Sequence, residues 1–81
     1  MASDMPYRDF ARKFRHYGVQ ITTHKRGSHV DLRKVINGEA RYYPVPLKSG
    51  RWVKSPYVRK ARRTFDLLPE NGVSDEQFDR I

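Results

Sequence analysis

Residues 19–47 read VQITTHKRGSHVDLRKVINGEARYYPVPL, and this stretch decides the fold. Val19, Ile21 and Thr23 alternate with polar neighbours, the period-two pattern of a strand with one buried face. This first strand runs to Arg26, and Gly27-Ser28 interrupts it as a tight-turn signal. From His29 to Ile36 the alternation resumes, with Val30, Leu32 and Ile36 on the apolar side. Asn37-Gly38 is a strong signal for a short hairpin, because both residues accept positive φ. Glu39 to Leu47 then forms a third strand with Tyr43, Val45 and Leu47 inward. Pro44 and Pro46 cannot donate to a ladder, so this strand belongs at a sheet edge. They lie two apart, so both missing N–H groups face the same way, outward.

The flanks read as helices. Met1 to Asp4 reads as a loose end. Pro6 suits a first helical turn, where a missing N–H costs nothing. Tyr7, Phe10, Ala11, Phe14 and Tyr17 recur at helical spacing as one apolar stripe. Arg8, Arg12, Lys13 and Arg15 fall elsewhere on the wheel, and Gly18 supplies a left-handed end. After the strands, Lys48 to Lys54 reads as a basic loop. Ser55-Pro56 reads as an N-cap and first-turn proline. Tyr57, Val58, Ala61, Phe65 and Leu68 form the inner face of a second helix, with Arg59, Lys60, Arg62 and Arg63 outside. Ser74 and Gln77 resemble a capping box opening a short last turn that carries Phe78 and Ile81. The expected fold class is α+β: a three-stranded antiparallel sheet with two helices on one face, in the order α-β-β-β-α. Residues 1–81 form one domain.

Composition narrows the function classes. Domains of this length bury only about 60% of the surface their unfolded chains expose, which argues against a large enclosed cofactor pocket. The chain has no cysteine, which excludes a disulfide scaffold, a thiolate zinc site and a thiol nucleophile. No apolar run approaches membrane-spanning length, and the N-terminus lacks a signal-like apolar region, so a cytoplasmic, soluble protein is expected. The formal net charge is +8 and it is uneven. Residues 1–65 carry 16 Lys/Arg against 4 Asp/Glu, whereas residues 66–81 carry 1 against 5. Cations that neutralise phosphates release condensed counterions, so such a body suits nucleic acid. A charged surface that merely keeps the chain in solution is the competing reading.

Strand parity places part of that charge. If Val30, Leu32, Tyr43 and Val45 face the helices, the opposite parity is open: Gln20, Thr22, His24, Arg26, His29, Asp31, Arg33 and Tyr42. A two-residue turn at Gly27-Ser28 pairs His24 with Asp31, and a four-residue turn pairs His24 with His29. Either even length keeps the face assignment, while an odd loop or a bulge breaks it. The second hairpin sets Arg33 opposite Tyr42. Metal-free RNA cleavage needs a base for the 2′-hydroxyl proton, an acid for the leaving 5′-oxygen, and cations for the phosphorane. Histidine titrates near working pH, arginine forks onto phosphate, and tyrosine stacks bases. His29 is the candidate for proton transfer. His24, beside Lys25 and Arg26, reads more simply as a surface cation, and His16 on the polar side of the first helix has no assigned role. His24, His29 and Asp31 suggest no further ligand for a metal site.

The order helix, Tyr17-Gly18, strand, then Lys25-Arg26-Gly27-Ser28-His29 opening the second strand resembles the HicA (YcfA-like) toxin family. The resemblance extends over residues 7–80, through the proline-containing third strand to Val73-Ser74-Asp75-Glu76-Gln77-Phe78. It implies a double-stranded-RNA-binding-domain-like fold and an mRNA interferase activity, the toxin of a toxin–antitoxin system. It implies that His29 is catalytic and that Gly27 and Ser28 form the turn presenting it. It also implies a HicB-type antitoxin as protein partner. Two positions depart from the family pattern: Val30-Asp31-Leu32, where many members carry a second His or an aromatic, and the unusually basic, Trp52-containing loop.

The expected activity is therefore a metal-independent endoribonuclease acting on mRNA, with no cofactor. Lys25, Arg26, Arg33, Lys48, Arg51 and Lys54 are the expected RNA-binding cations, with Gly27 and Ser28 at the turn. The resemblance to the double-stranded-RNA-binding fold implies that a basic loop and a helix N-terminus grip phosphate, a place occupied here by Lys48, Arg51, Lys54 and Ser55; a helix N-terminus favours anions in any case. A non-catalytic RNA-binding domain on the same fold, and a protein-interaction domain using Trp52 and the tyrosines, are the rival readings.

Overall fold

The computed structural model describes residues 3–24, 28–47 and 51–81. Its central feature is an antiparallel sheet of β2 (Gln20–Thr23), β3 (His29–Ile36) and β4 (Glu39–Pro46), ordered β2-β3-β4. β4 lies at an edge, as its prolines require. The Leu47 N–H donates to the Ser28 carbonyl at 2.5 Å. Odd-numbered residues of β4 thus donate inward, and Pro44 and Pro46 turn their N–H-less nitrogens away from the ladder. The hairpin between β3 and β4 turns at Asn37 (φ 52°) and Gly38 (φ 79°), both left-handed, the geometry that matches strand twist.

The β2–β3 register pairs Thr23 with Val30 and Gln20 with Arg33. This register puts Gln20 and Thr22 on the same face as Arg33 and Asp31, the face expected for them. β2 stops at Thr23, short of the expected Arg26. Lys25, Arg26 and Gly27 lie outside the described residues.

α1 spans Tyr7–His16 and buries Phe10, Ala11 and Phe14. It ends in a Schellman motif, with Gly18 at φ 83° and the Val19 N–H donating to Phe14 carbonyl at 3.1 Å. Its start differs from expectation. Pro6 stands just before the helix at φ −61°, ψ 147°. It belongs to a two-residue strand, β1 (Met5–Pro6), paired antiparallel with β5 (Trp52–Val53). The expected loose end and the end of the expected basic loop therefore meet. Met5 and Val53 face each other there, both buried, a contact too short to leave a periodic signal.

α2 spans Ser55–Thr64. Ser55 does not cap it: the Asp4 carboxylate accepts the Ser55 N–H at 2.7 Å and lies 3.3 Å from Lys54 Nζ. Leu68 lies beyond the helix. Asp66 takes φ 56° and the Leu67 N–H reaches Arg62 carbonyl at 2.8 Å, a second Schellman ending built without glycine. The Arg41 guanidinium, 2.7 Å from the Asp66 carboxylate, holds that residue in place. A 3-10 turn at Pro69–Asn71 leads to α3 (Asp75–Asp79). Ser74 and Gln77 form the capping box, through bonds of 3.0 and 2.9 Å.

The inward face of the sheet and the three helices enclose one core, including Phe10, Phe14, Val30, Leu32, Val45, Val58, Phe65 and Phe78. Among the described residues, no helix is long and apolar enough to cross a membrane. Two cations expected on outer faces are buried instead. Lys13 donates to the carbonyls of Phe78, Asp79 and Ile81 at 2.8–3.2 Å. Arg62 donates to the carbonyls of Leu67 and Val73 and to the Asp75 carboxylate. Both lie over the Phe78 ring, Lys13 at 5.7 Å and Arg62 at 4.6 Å from its centroid, and Tyr17 stacks parallel to it at 6.1 Å. The wheel fails here because backbone carbonyls of the returning chain give a cation enough partners to be buried. Removing Arg62 strands two carbonyls and opens a cavity. Arg62→Ala is expected to cost about 2–4 kcal/mol, seen as a lower urea midpoint at unchanged slope, while Arg63→Ala, on the exposed side of the same turn, leaves the midpoint in place.

Candidate functional site

The outward side chains of the sheet form three transverse rows. Gln20, Arg33 and Tyr42 make the first; Thr22, Asp31 and Pro44 the second. His29 and Pro46 make the third, and His24 follows directly after β2. All of these are exposed except Asp31 and Pro46, which are partly covered. The strands put these groups outward for the same reason that Val30 and Leu32 are inward.

Asp31 is the hub. Its Oδ2 lies 2.7 Å from His24 Nε2, and its Oδ1 accepts the Tyr42 hydroxyl at 2.8 Å. Both contacts are cross-strand diagonals, the reach expected of long side chains on one sheet face. These two hydrogen bonds, with the nearby His24 and His29 charges, hold the Asp31 carboxyl below the usual aspartate range. The same bond to Asp31 pushes the Tyr42 hydroxyl up, so it stays protonated. Ser28 Oγ lies 3.3 Å from His29 Nδ1, which leaves the Nε2 edge of that ring without a partner among the described residues.

The expected site residues separate into two places. His29 and Arg33 share the sheet face, and Ser28 sits just before β3 with its hydroxyl beside His29. Arg51 and Lys54 do not join them. Arg51, at φ 59°, lays its guanidinium 4.8 Å from the Tyr7 ring centroid. It lines a groove of about 530 Å³ with Pro6, Tyr7, Arg8, Ala11 and Arg15. Lys54 is paired with Asp4, whose carboxylate occupies the α2 N-terminus that was expected to grip phosphate. Lys25, Arg26, Gly27 and Lys48 lie outside the described residues.

The sequence reading placed His24, Asp31 and Tyr42 on this face but not in one network. The signal was present in the register. With Thr23 opposite Val30, Asp31 falls on the diagonal of both partners. Among the described residues, no three His, Asp or Glu side chains converge as a metal site. What the arrangement offers is two imidazoles, an ionised carboxylate that orients one of them, a guanidinium and an exposed phenol. No protein-family model, no curated protein and no solved structure matches the chain.

The depressed Asp31 pKa carries a pH consequence. Its hydrogen bonds add stability above the ordinary aspartate value of 3.8. That contribution is lost as pH falls below 3.8 through the folded-state value, because the unfolded chain then binds its proton more readily. Thermal melts between pH 6 and pH 2 are expected to fall more steeply for the wild type than for Asp31→Asn; parallel curves would remove the carboxylate from the stability balance.

Proposed function

We propose that this chain is a metal-independent endoribonuclease that cleaves mRNA, acting as the toxin of a toxin–antitoxin pair, with His29 transferring protons. The observation that carries the reading is His29 on an open sheet face, with Arg33 four residues along its strand and a second histidine, His24, bound to the Asp31 carboxylate between them. An exposed imidazole is available to a substrate, and Arg33 is placed to meet phosphate oxygens.

Three further observations support it. The +12 body formed by residues 1–65 favours a polyanionic substrate. A three-stranded antiparallel meander between α1 and α2 in the chain, with its second strand opening at Ser28-His29, fits the double-stranded-RNA-binding-domain-like arrangement of HicA-type proteins. The open face also suits an acidic antitoxin surface, where complementary potentials speed encounter. The RNA-binding role of Lys25, Arg26, Gly27, Ser28, Arg33 and Lys48 belongs to this proposal. Arg51 and Lys54 contribute less directly, the latter because Asp4 competes for its charge.

The test is a comparison of wild type and His29→Ala. Controlled expression of the wild type is expected to arrest growth and shorten bulk mRNA. The variant should do neither, while still binding a labelled RNA oligonucleotide within about threefold of wild type, because one exposed neutral-or-cationic ring supplies little of the phosphate attraction. Binding by both proteins with intact RNA throughout would reject the nuclease and leave the non-catalytic RNA-binding domain.

A further inference from the structure

We propose that His24 is the second proton-transfer group of this site, paired with His29 and positioned by Asp31 and Tyr42, and that the substrate is restricted to strands whose own 2′-hydroxyl attacks the scissile phosphorus. The proposal rests on the nuclease reading above and specifies its chemistry.

Cleavage by transphosphorylation needs two proton transfers on opposite sides of one phosphorus. As the bond from the 2′-oxygen to phosphorus forms, a neutral imidazole takes the 2′-hydroxyl proton. As the bond from phosphorus to the 5′-oxygen breaks, an imidazolium gives its proton to the leaving oxygen. The products are a 2′,3′-cyclic phosphate and a 5′-hydroxyl; no water, oxidant or co-reactant is consumed. One proton enters the protein and one leaves it, and exchange with solvent restores the starting pair. A single histidine cannot be neutral and protonated at once, so a one-histidine site leaves half of the reaction to solvent.

The geometry supplies the other half. A surface histidine that only added charge would need no fixed partner. His24 Nε2 instead lies 2.7 Å from Asp31 Oδ2. An ionised carboxylate only accepts, so Nε2 carries hydrogen and Nδ1 is the nitrogen left to exchange a proton. Asp31 is itself held from the other side by the Tyr42 hydroxyl at 2.8 Å, which fixes the carboxylate as a rigid orienting group. Both histidines adjoin the same carboxylate: His24 is bonded to Asp31, and His29 lies two residues before it on the same face of β3, so both rings border one patch of the sheet. Arg33, in the row beyond Asp31 on the same face, is the cation for the phosphorane charge. Tyr42 is spent on Asp31 and takes no part in the proton transfers.

The experiment uses the full chain and two matched oligonucleotides, one natural and one with sulfur replacing the 5′-bridging oxygen at the cleaved linkage. Sulfur leaves without a proton, so it rescues loss of the acid and not loss of the base. His24→Ala and His29→Ala should each slow the natural substrate by about 10²–10⁴-fold. Sulfur should restore one of the two and leave the other slow. Asp31→Asn should lose less, and should respond to sulfur as His24→Ala does, a pattern that a merely structural role would not produce. A 2′-deoxy residue at the cleaved linkage should abolish reaction, and the natural product should end in a cyclic phosphate. The His24 side chain is 51% exposed, so its replacement should lower the melting temperature only by the share of its bond to Asp31 and leave the fold intact; were His24→Ala to misfold, His24→Gln makes the same comparison. Wild-type rates in His24→Ala, or sulfur rescue of both histidine variants or of neither, would overturn the pair while leaving His29 as a nuclease residue. Intact RNA with the wild type would overturn the nuclease reading and the pair together.

Discussion

The period-two alternation of β3 is the constraint on which the rest of the molecule depends. Val30 and Leu32 are fully buried, and the residues between and beside them, His29, Asp31 and Arg33, point to the opposite side. A slip of one residue in either hairpin would send the histidine and the carboxylate into the core and bring two aliphatic side chains to the surface. The Asn37-Gly38 turn after β3, with both residues left-handed, prevents that slip in the second hairpin. Core packing and site chemistry are thus two faces of one register, and the hydrophobic side enforces the polar one.

The cations divide into those that hold the fold and those that stay at the surface. Lys13 and Arg62 are interior, and Lys34 donates to the Tyr17 carbonyl at 2.6 Å. Arg41 spans Asp66 and the Thr64 carbonyl. Burial, and to a lesser extent Arg12, push the Lys13 ammonium pKa down, yet three carbonyls still surround it. Net charge therefore overstates what is offered to a polyanion. A guanidinium committed to carbonyls on the helix side cannot also neutralise a phosphate on the sheet side.

Legibility from sequence followed the range of the interactions. The three strands, both main helices, the edge position of β4, the Arg33–Tyr42 pairing and the Ser74–Gln77 capping box are fixed by neighbours a few residues apart, and each was readable. The β1–β5 pairing and the Asp4 cap on α2 join residues about fifty positions apart through two-residue contacts, too short for periodicity to register. Asp66 took the left-handed position that a glycine would have announced. Lys13 and Arg62 were misplaced because helical spacing records which direction a side chain faces, and the last helix converts those directions into interior. At the site, the face was legible and the wiring was not. Alternation names which residues share a surface, whereas the Asp31 diagonals depend on a register that the sequence left open between two even turns.

Phe78 lies near the end of the chain, yet its ring fills the space between α1 and α2 and draws Lys13 and Arg62 over it. One ring thereby serves as a shared support: the cation of each helix leans on it while backbone carbonyls and the Asp75 carboxylate take up the charge. The two main helices are coupled through α3, so a loosening of that short helix would be felt at Lys13 and Arg62 together.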